Sequence, residues 1–218
     1  MKLKTLGFAL LASVLFSTAA RAVVITFEDL APGATLGTQY AGLGVVFSAN
    51  AFSGTNSNST REDWASNTDM GIVASSGTDV GGLGTPALVS GNILRSFSGW
   101  LSEDGDASFA ASFTTAITSF SADFAGVSIP DDTALYVFDG ANLLARVAGA
   151  GGPGQITLSY SAPSITRVVV AAGSFADWVG VDNIRFTPMA AVPEPGTLVL
   201  LAIGLAALSG TLRRPARR

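Results

Sequence analysis

The chain has 218 residues, of which 12 are basic and 16 acidic, and it contains neither cysteine nor histidine. This composition excludes a cysteine nucleophile, a Ser-His-Asp triad and a zinc site with thiolate or imidazole ligands. Any bound metal would take oxygen ligands, which favours calcium over zinc.

The first 22 residues have the features of a secretory signal peptide. Lys2 and Lys4 precede an apolar run over residues 6–16, and Ala20-Arg21-Ala22 supplies small side chains where a signal peptidase cleaves. The apolar run is too short to span a bilayer comfortably. We therefore predict export, cleavage by signal peptidase and a mature chain that starts near Val23.

Residues 23–187 are predicted to form one domain of short strands, because apolar and polar residues alternate between turn residues and no 3.6-residue period stands out. The predicted strands are residues 24–28, 45–48, 71–74, 93–101, 108–113, 118–124, 134–139, 142–148, 155–160, 166–171 and 179–186. Many short strands in a glycine-rich chain predict an all-β protein, an antiparallel β-sandwich of jelly-roll type. An N-terminal signal helix and a C-terminal transmembrane helix are expected to flank it.

The charge of the predicted domain differs from that of the whole chain. Between Val23 and Val192 there are five arginines, no lysine and 15 acidic residues, a net charge of −10. Such a charge argues against electrostatic binding to nucleic acid or to anionic membrane surfaces. No local motif marks a pair of carboxylates for glycoside hydrolysis, so the domain is predicted to be non-catalytic.

A polar segment, residues 50–69, interrupts the strand pattern and is predicted to be a long loop. Trp64 stands in this segment among charged and polar residues. We expect its side chain to be exposed and to bind a ligand by stacking, as tryptophan does on sugar rings. The alternative is a loop without a ligand.

The two ends of the domain, ITFEDL at residues 25–30 and GVDNIRF at residues 180–186, resemble the first and last strands of exported jelly-roll domains, including carbohydrate-binding modules. The resemblance implies that these strands lie close together and that their acidic residues hold a structural calcium ion. The candidate ligands are Glu28, Asp29, Asp182 and Asn183. The alternative is that these side chains cap a strand end and make turn or bulge contacts.

The C-terminus has three consecutive parts. Pro193-Glu194-Pro195 lies in a linker, residues 188–196, and sixteen uncharged residues follow at 197–212. As a helix they would measure about 24 Å, somewhat less than a hydrocarbon core of about 30 Å. We predict a transmembrane helix at 197–212 and a basic tail at 213–218, which includes Arg213 and Arg214, on the cytoplasmic side.

This order of parts resembles the PEP-CTERM sorting signal of Gram-negative bacteria that make exopolysaccharide. The resemblance is confined to residues 192–218. It implies that an exosortase-type enzyme reads Pro193, Glu194 and Pro195 together with the arginine cluster. It also implies a transient stage in the inner membrane before the protein reaches the cell surface or the extracellular matrix. The alternative is an ordinary single-pass anchor after a proline-rich linker.

The predicted function is that of an exported, non-catalytic surface or matrix protein that binds exopolysaccharide. Two alternatives stay open at this point, a glycan-directed hydrolase or lyase and a structural surface protein without a specific ligand. A deep cleft with two facing carboxylates would favour the enzyme. An exposed aromatic platform or groove would favour the binding protein. No cofactor other than calcium is expected.

Overall fold

The computed structural model describes residues 21–49, 52–55, 61–65, 70–76, 88–96, 106–127, 129–172 and 179–190. All of them except Ala190 belong to one compact unit that spans Ala20–Met189. Within these ranges no helix is both long and apolar enough to cross a membrane. The predicted transmembrane segment 197–212, the basic tail and nearly all of the predicted signal peptide lie outside the described residues.

The described part of the chain is almost entirely strand, with single 3-10 turns at Ala41–Leu43 and Pro130–Asp132 as its helical residues. The strands are β1 Val23–Ile25, β2 Val45–Ala49, β3 Phe52–Thr55, β4 Arg61–Ala65, β5 Gly71–Ala74, β6 Asn92–Ser96, β7 Asp106–Val127, β8 Ala134–Asp139, β9 Asn142–Ala148, β10 Gly154–Ala171 and β11 Val179–Pro188.

Two long strands, β7 and β10, run through both halves of the sheet. In the first half, residues 108–113 of β7 pair with β2 and with the end of β10, and β8 and β9 follow in order. In the second half, residues 117–127 of β7 lie between β11 and the start of β10, while β6 and β1 both pair with β11. Among the described strands only the β4–β7 pairing is parallel.

The strand β10 changes register where it passes from one half-sheet to the other. Its pairing with β7 shifts between Ser161 and Ile165 and again between Ile165 and Arg167. Pro163 lies in the first shift, where its missing N–H donor removes no regular ladder bond. Irregular pairing of this kind bends a strand and increases its twist.

The two halves share one apolar core, which makes the sheet β-sandwich-like. Phe109 and Val137 enter this core from the first half, and Phe124, Ile184 and Phe186 enter it from the second. Burial of such side chains is the main favourable contribution to folding, and no disulfide is possible in a chain without cysteine.

Several predicted strands agree with the observed ones, because the local alternation of apolar and polar residues was sufficient to identify them. The predicted strands 71–74, 134–139 and 142–148 coincide with β5, β8 and β9. Two predicted strands, 108–113 and 118–124, are parts of the one continuous strand β7. Likewise, the predicted strands 155–160 and 166–171 are parts of β10. The alternation is interrupted where these strands change half-sheet, although the backbone remains extended.

The prediction of a single loop over residues 50–69 was wrong in two stretches. Phe52–Thr55 and Arg61–Ala65 form an antiparallel pair, in which Phe52 lies opposite Trp64. Residues with low intrinsic strand propensity, such as serine and glycine, form strands when a partner strand is available. The jelly-roll arrangement of the all-β fold stays a prediction.

Gly149 packs too tightly for any side chain, which gives a test of the fold. A Cβ atom there would lie 2.4 Å from the Pro130 carbonyl oxygen and 2.5 Å from Ile156 Cδ1. We expect Gly149→Ala to lower the free energy of unfolding by about 1–3 kcal/mol, as overpacked sites do. Gly152→Ala, in the same loop, has no atom within 4 Å of its Cβ position and is the matched control. Equal thermal midpoints for the two variants would contradict this packing.

Candidate functional site

The first and last strands are neighbours, as the resemblance implied. β1 pairs with β11 in antiparallel register, with Ile25 opposite Ile184. Just beyond this pairing, Glu28 follows β1 and Asp182 stands on β11, so residues 154 positions apart approach the same loop. We call that loop, Leu88–Asn92, the clasp loop.

Asp182 is buried and accepts hydrogen bonds from backbone N–H groups. Asp182 as a whole is 2 % exposed. Oδ2 accepts from Ser90 N at 3.2 Å, and Oδ1 accepts from Asn183 N at 2.6 Å. Asn183 has φ 49°, a left-handed conformation that asparagine tolerates better than most residues. This local turn brings the Asn183 amide back towards Asp182, where Nδ2 donates to Oδ2 at 3.3 Å.

Glu28 holds the other end of the clasp loop. Its Oε1 accepts from Asn92 N at 3.0 Å. Gly91 has φ +65°, and a Cβ atom there would lie 1.8 Å from Glu28 Oε1. Glycine is therefore required at this position both for its backbone conformation and for the close approach of the carboxylate.

Two asparagine side chains complete the attachment of the clasp loop. Asn92 Nδ2 donates to the Leu30 carbonyl at 2.9 Å, and Asn183 Nδ2 donates to the Leu88 carbonyl at 3.0 Å. The loop is thus tied to both ends of the domain through side chains and backbone. Sequence reasoning missed Ser90, Gly91 and Asn92, because no local motif distinguishes them from an ordinary turn.

Asp29 points away from this group. Tyr40 Oη donates to Asp29 Oδ1 at 2.5 Å. Burial, and then the neighbouring carboxylate, raise the pKa of Tyr40 above its ordinary value because both disfavour the phenolate. Of the four predicted calcium ligands, Glu28, Asp182 and Asn183 therefore meet at the clasp loop and Asp29 does not.

The electrostatic environment of Asp182 favours its protonated form. Burial raises the pKa of Asp182 to about 6, and the charges of Asp123 and Glu28 add to the effect. The N–H donors of Asn183 and Ser90 act in the opposite direction. Asp123 lies directly across from Asp182 in the β7–β11 pairing, an arrangement of like charges that is destabilising in a sheet.

This pKa predicts a pH dependence of stability. A carboxyl whose pKa rises from 3.8 to about 6 on folding binds its proton more tightly in the folded state. The wild type should therefore gain stability relative to Asp182→Asn as the pH falls through 6, by up to about 3 kcal/mol at pH 3.8 and below. Denaturant titrations of both chains between pH 7.5 and 4.5, with EDTA present, measure the difference. A difference that stays constant over this range would contradict the buried, ionisable Asp182.

The clasp loop brings together oxygen atoms of the kinds that calcium binds. The carboxylates of Glu28 and Asp182 stand with the backbone carbonyls of Leu30 and Leu88, and calcium takes carboxylate, carbonyl and amide oxygens. Rotating the Asn183 amide by 180° would present an oxygen where Nδ2 now stands beside Asp182 and the Leu88 carbonyl, since the two amide atoms are assigned from the hydrogen-bond network. Among the described residues no three His, Cys, Asp or Glu side chains form a metal-binding group. Calcium here would depend on carbonyl and amide oxygens as well as on the two carboxylates.

The remaining predicted site residues have little or no described structure. Trp64 lies in β4, opposite Phe52 and beside Asp106 of β7, and its side chain is outside the described part. Pro193, Glu194, Pro195, Arg213 and Arg214 are outside it as well.

Residues 191–214 match the family model described as the PEP-CTERM protein-sorting motif. The chain carries a PEP-CTERM sorting motif. This motif implies an exported protein that reaches the cell surface by way of the membrane and is processed by exosortase. It confirms the resemblance recognised from Pro193-Glu194-Pro195, the apolar run and the arginines.

No curated protein matches the chain. Among solved structures, the K2 cleaved adhesin domain of Lys-gingipain is similar over 77 % of this chain and 99 % of its own length. Its sequence identity to this chain is 14 % and the TM-score is 0.46.

Proposed function

We propose that this chain is a non-catalytic protein of the cell surface or extracellular matrix that binds exopolysaccharide. The sorting motif at residues 191–214 carries the proposal, since it directs the domain to the compartment where such polymers lie. The signal peptide is removed, and the segment at 197–212 holds the chain in the inner membrane until the tail is processed. The β-sandwich is arranged as a jelly roll, in which the first and last strands are neighbours.

The contacts of the carboxylates support a binding protein over a hydrolase or lyase. Asp123 pairs with Arg185 at 3.0 Å and Asp131 pairs with Arg146 at 3.3 Å. In the described part of the chain, the groove beside Gly44 and Pro188 and the groove beside Val147 and Ile156 have no carboxylate in their linings. A retaining or inverting glycosidase needs two carboxyl groups about 5–10 Å apart across its substrate.

Co-sedimentation with exopolysaccharide from a Gram-negative bacterium that has this sorting system tests the proposal. The full-length chain, kept in a detergent without a sugar headgroup, should sediment with the polymer and should release no new reducing ends. New reducing ends or unsaturated products would establish the enzyme instead. A chain that stays in the supernatant with every polymer would favour a structural protein without a specific ligand.

We also propose that Glu28 and Asp182 hold a structural calcium ion at the clasp loop, with Asn183 as a further ligand. Bound calcium would neutralise the carboxylates of Glu28 and Asp182, and it would join β1, β11 and the clasp loop. The support is the oxygen-rich donor set and the burial of Asp182.

Calcium is expected to raise the thermal midpoint of the wild type. At a concentration 100 times the dissociation constant the gain is about 2.7 kcal/mol, or roughly 5–10 °C for a domain of this size. Glu28→Gln and Asp182→Asn should lose most of this shift. Asp139→Asn, a carboxylate that accepts from Ser164 Oγ elsewhere, is the control. Asp29→Asn should keep the shift because Asp29 is bonded to Tyr40. An unchanged midpoint of the wild type with calcium would overturn the site.

A further inference from the structure

Hydroxyl side chains cover the outer face of the second half-sheet. Residues directly opposite each other on paired strands share a face, and so do alternate residues along one strand. Ser121 lies opposite Ser159 on one side and Arg185 on the other, while Ser119 lies opposite Ser161 and Thr187. We call this set the serine face: Ser119, Ser121, Ser159, Ser161, Arg185 and Thr187.

Several hydroxyls of the serine face are available to form hydrogen bonds with a ligand. Ser159 and Ser161 are exposed, while the residues that alternate with them, Leu158 and Tyr160, belong to or pack against the core. Ser119 Oγ donates to Thr187 Oγ1 at 2.9 Å. The hydroxyls of Ser121, Ser159 and Ser161 make no hydrogen bond with another described residue. Each hydroxyl is one donor and two acceptors.

The serine face contains one positively charged side chain, that of Arg185, which an ion pair holds in place. Arg185 donates from Nη2 to Asp123 Oδ2 at 3.0 Å, and Thr157 Oγ1 donates to Asp123 Oδ1 at 2.7 Å. The Asp123 side chain is 4 % exposed and that of Arg185 is 41 % exposed. Asp123 alternates with Ser121 along β7 and so lies on the same face, where its carboxylate orients the guanidinium and balances its charge. The Arg185 side chain remains partly exposed. Such a group donates hydrogen bonds in a set direction without requiring an anionic ligand.

A groove extends the face beyond the edge of β10. Its volume is about 420 Å³, and its lining joins Thr157 and Ser159 to the partly exposed apolar residues Val147 and Ile156. Pockets for small ligands are commonly about 300–1,000 Å³ and combine apolar walls with a few polar groups. The groove thus places apolar contact area directly beside the row of hydroxyls. This combination suits a sugar ring, which has apolar ring faces and hydroxyls at its edge.

We propose that the serine face and this groove bind an uncharged polysaccharide, an inference that rests on the proposed function. A protein partner is disfavoured, because the centre of a protein interface is apolar and aromatic and the serine face is neither. An anionic polymer is disfavoured because the exported domain carries a net charge of −10 and the single cation of the face is already paired. An uncharged polysaccharide is not repelled by the negative domain and does not require an apolar surface. Its hydroxyls can bond the donors and acceptors of the serine face.

The test uses the full-length chain in a detergent without a sugar headgroup. Affinity electrophoresis measures retardation by hydroxyethyl cellulose and mannan, which are uncharged, and by alginate, which is a polyuronate. The test variant is Ser159→Glu with Ser161→Glu, which puts two charges on the face. The control is Ser48→Glu, an exposed serine on β2 in the first half-sheet. Thermal midpoints of the two variants within a few degrees of each other show that both are folded.

We expect at least one uncharged polymer to bind the wild type and to bind the double variant at least tenfold more weakly, with Ser48→Glu unchanged. Binding of the double variant at wild-type affinity would overturn this site and leave the proposed function standing. Loss of binding in Trp64→Ala alone would place the ligand at β4 instead. Binding to alginate only would overturn the uncharged class. No binding of the wild type to any polymer, including the exopolysaccharide used above, would overturn the proposed function together with this inference.

Discussion

Replacing Pro193, Glu194 and Pro195 with alanine is expected to abolish processing of the tail and to leave the full-length chain in the membrane fraction. The three residues form the part of the sorting motif that precedes the apolar segment, and the motif implies processing by exosortase. Proline also disfavours helix, so alanines would allow the helix predicted at 197–212 to extend into the recognition sequence. Immunoblots of membrane and surface fractions from a bacterium with the processing enzyme measure the outcome.

Pro215→Ala is the matched control for this change. Pro215 follows the arginine pair and lies just outside residues 191–214, which match the motif. The Pro215→Ala substitution should leave both the size and the location of the mature chain unchanged. Normal processing of the triple-alanine chain would show that the tail acts as an ordinary anchor.

Phe186→Ala is expected to cause a large loss of stability. Phe186 is 1 % exposed, lies between Val23 and Phe120 in the sheet, and its ring centroid is 5.1 Å from that of Phe113. Truncating a buried phenylalanine removes its burial energy and leaves a cavity, at a cost of about 3–5 kcal/mol. Because whole domains are stable by only about 5–15 kcal/mol, the variant is expected to be marginal at 37 °C. Urea denaturation gives the difference directly.

Thr187→Ala, one residue further along β11, controls for the change of strand propensity. Its side chain points to the opposite face and bonds Ser119 Oγ at 2.9 Å. Loss of this partly exposed hydrogen bond should cost about 1 kcal/mol or less. If Phe186→Ala and Thr187→Ala were equally stable, the position of Phe186 in the shared core would be wrong.

The tail could be identified from sequence because its signal is local. Pro193-Glu194-Pro195, an uncharged stretch and an arginine cluster follow one another, and no tertiary contact is needed to recognise them. The strands β5, β8 and β9 were predicted for a similar reason, since short alternating runs between turn residues identify them. The hairpin of β3 and β4 was missed because its residues are polar and its strands depend on a partner rather than on propensity.

The arrangement at the clasp loop could be predicted only in part, because it comes from residues far apart in the chain. The pairing of the terminal strands was correctly expected, and Glu28 and Asp182 both bond the same loop. The clasp loop had no sequence signal, although Gly91 and Asn92 determine how the Glu28 carboxylate is held. Asp29 is adjacent to Glu28 in sequence, but the turn after β1 directs it to Tyr40. The serine face was likewise not predicted, because it becomes visible only when the registers of β7, β10 and β11 are known.

The proposed role of this domain is to hold exopolysaccharide at the cell surface. The most direct measurement compares the amount of mature chain on the surface and in the medium of a polysaccharide-producing strain and of an otherwise identical strain that makes no polymer. We expect the mature chain to stay with the cells of the producing strain and to appear in the medium of the other, with tail processing equal in both. The same distribution in the two strains would contradict this role.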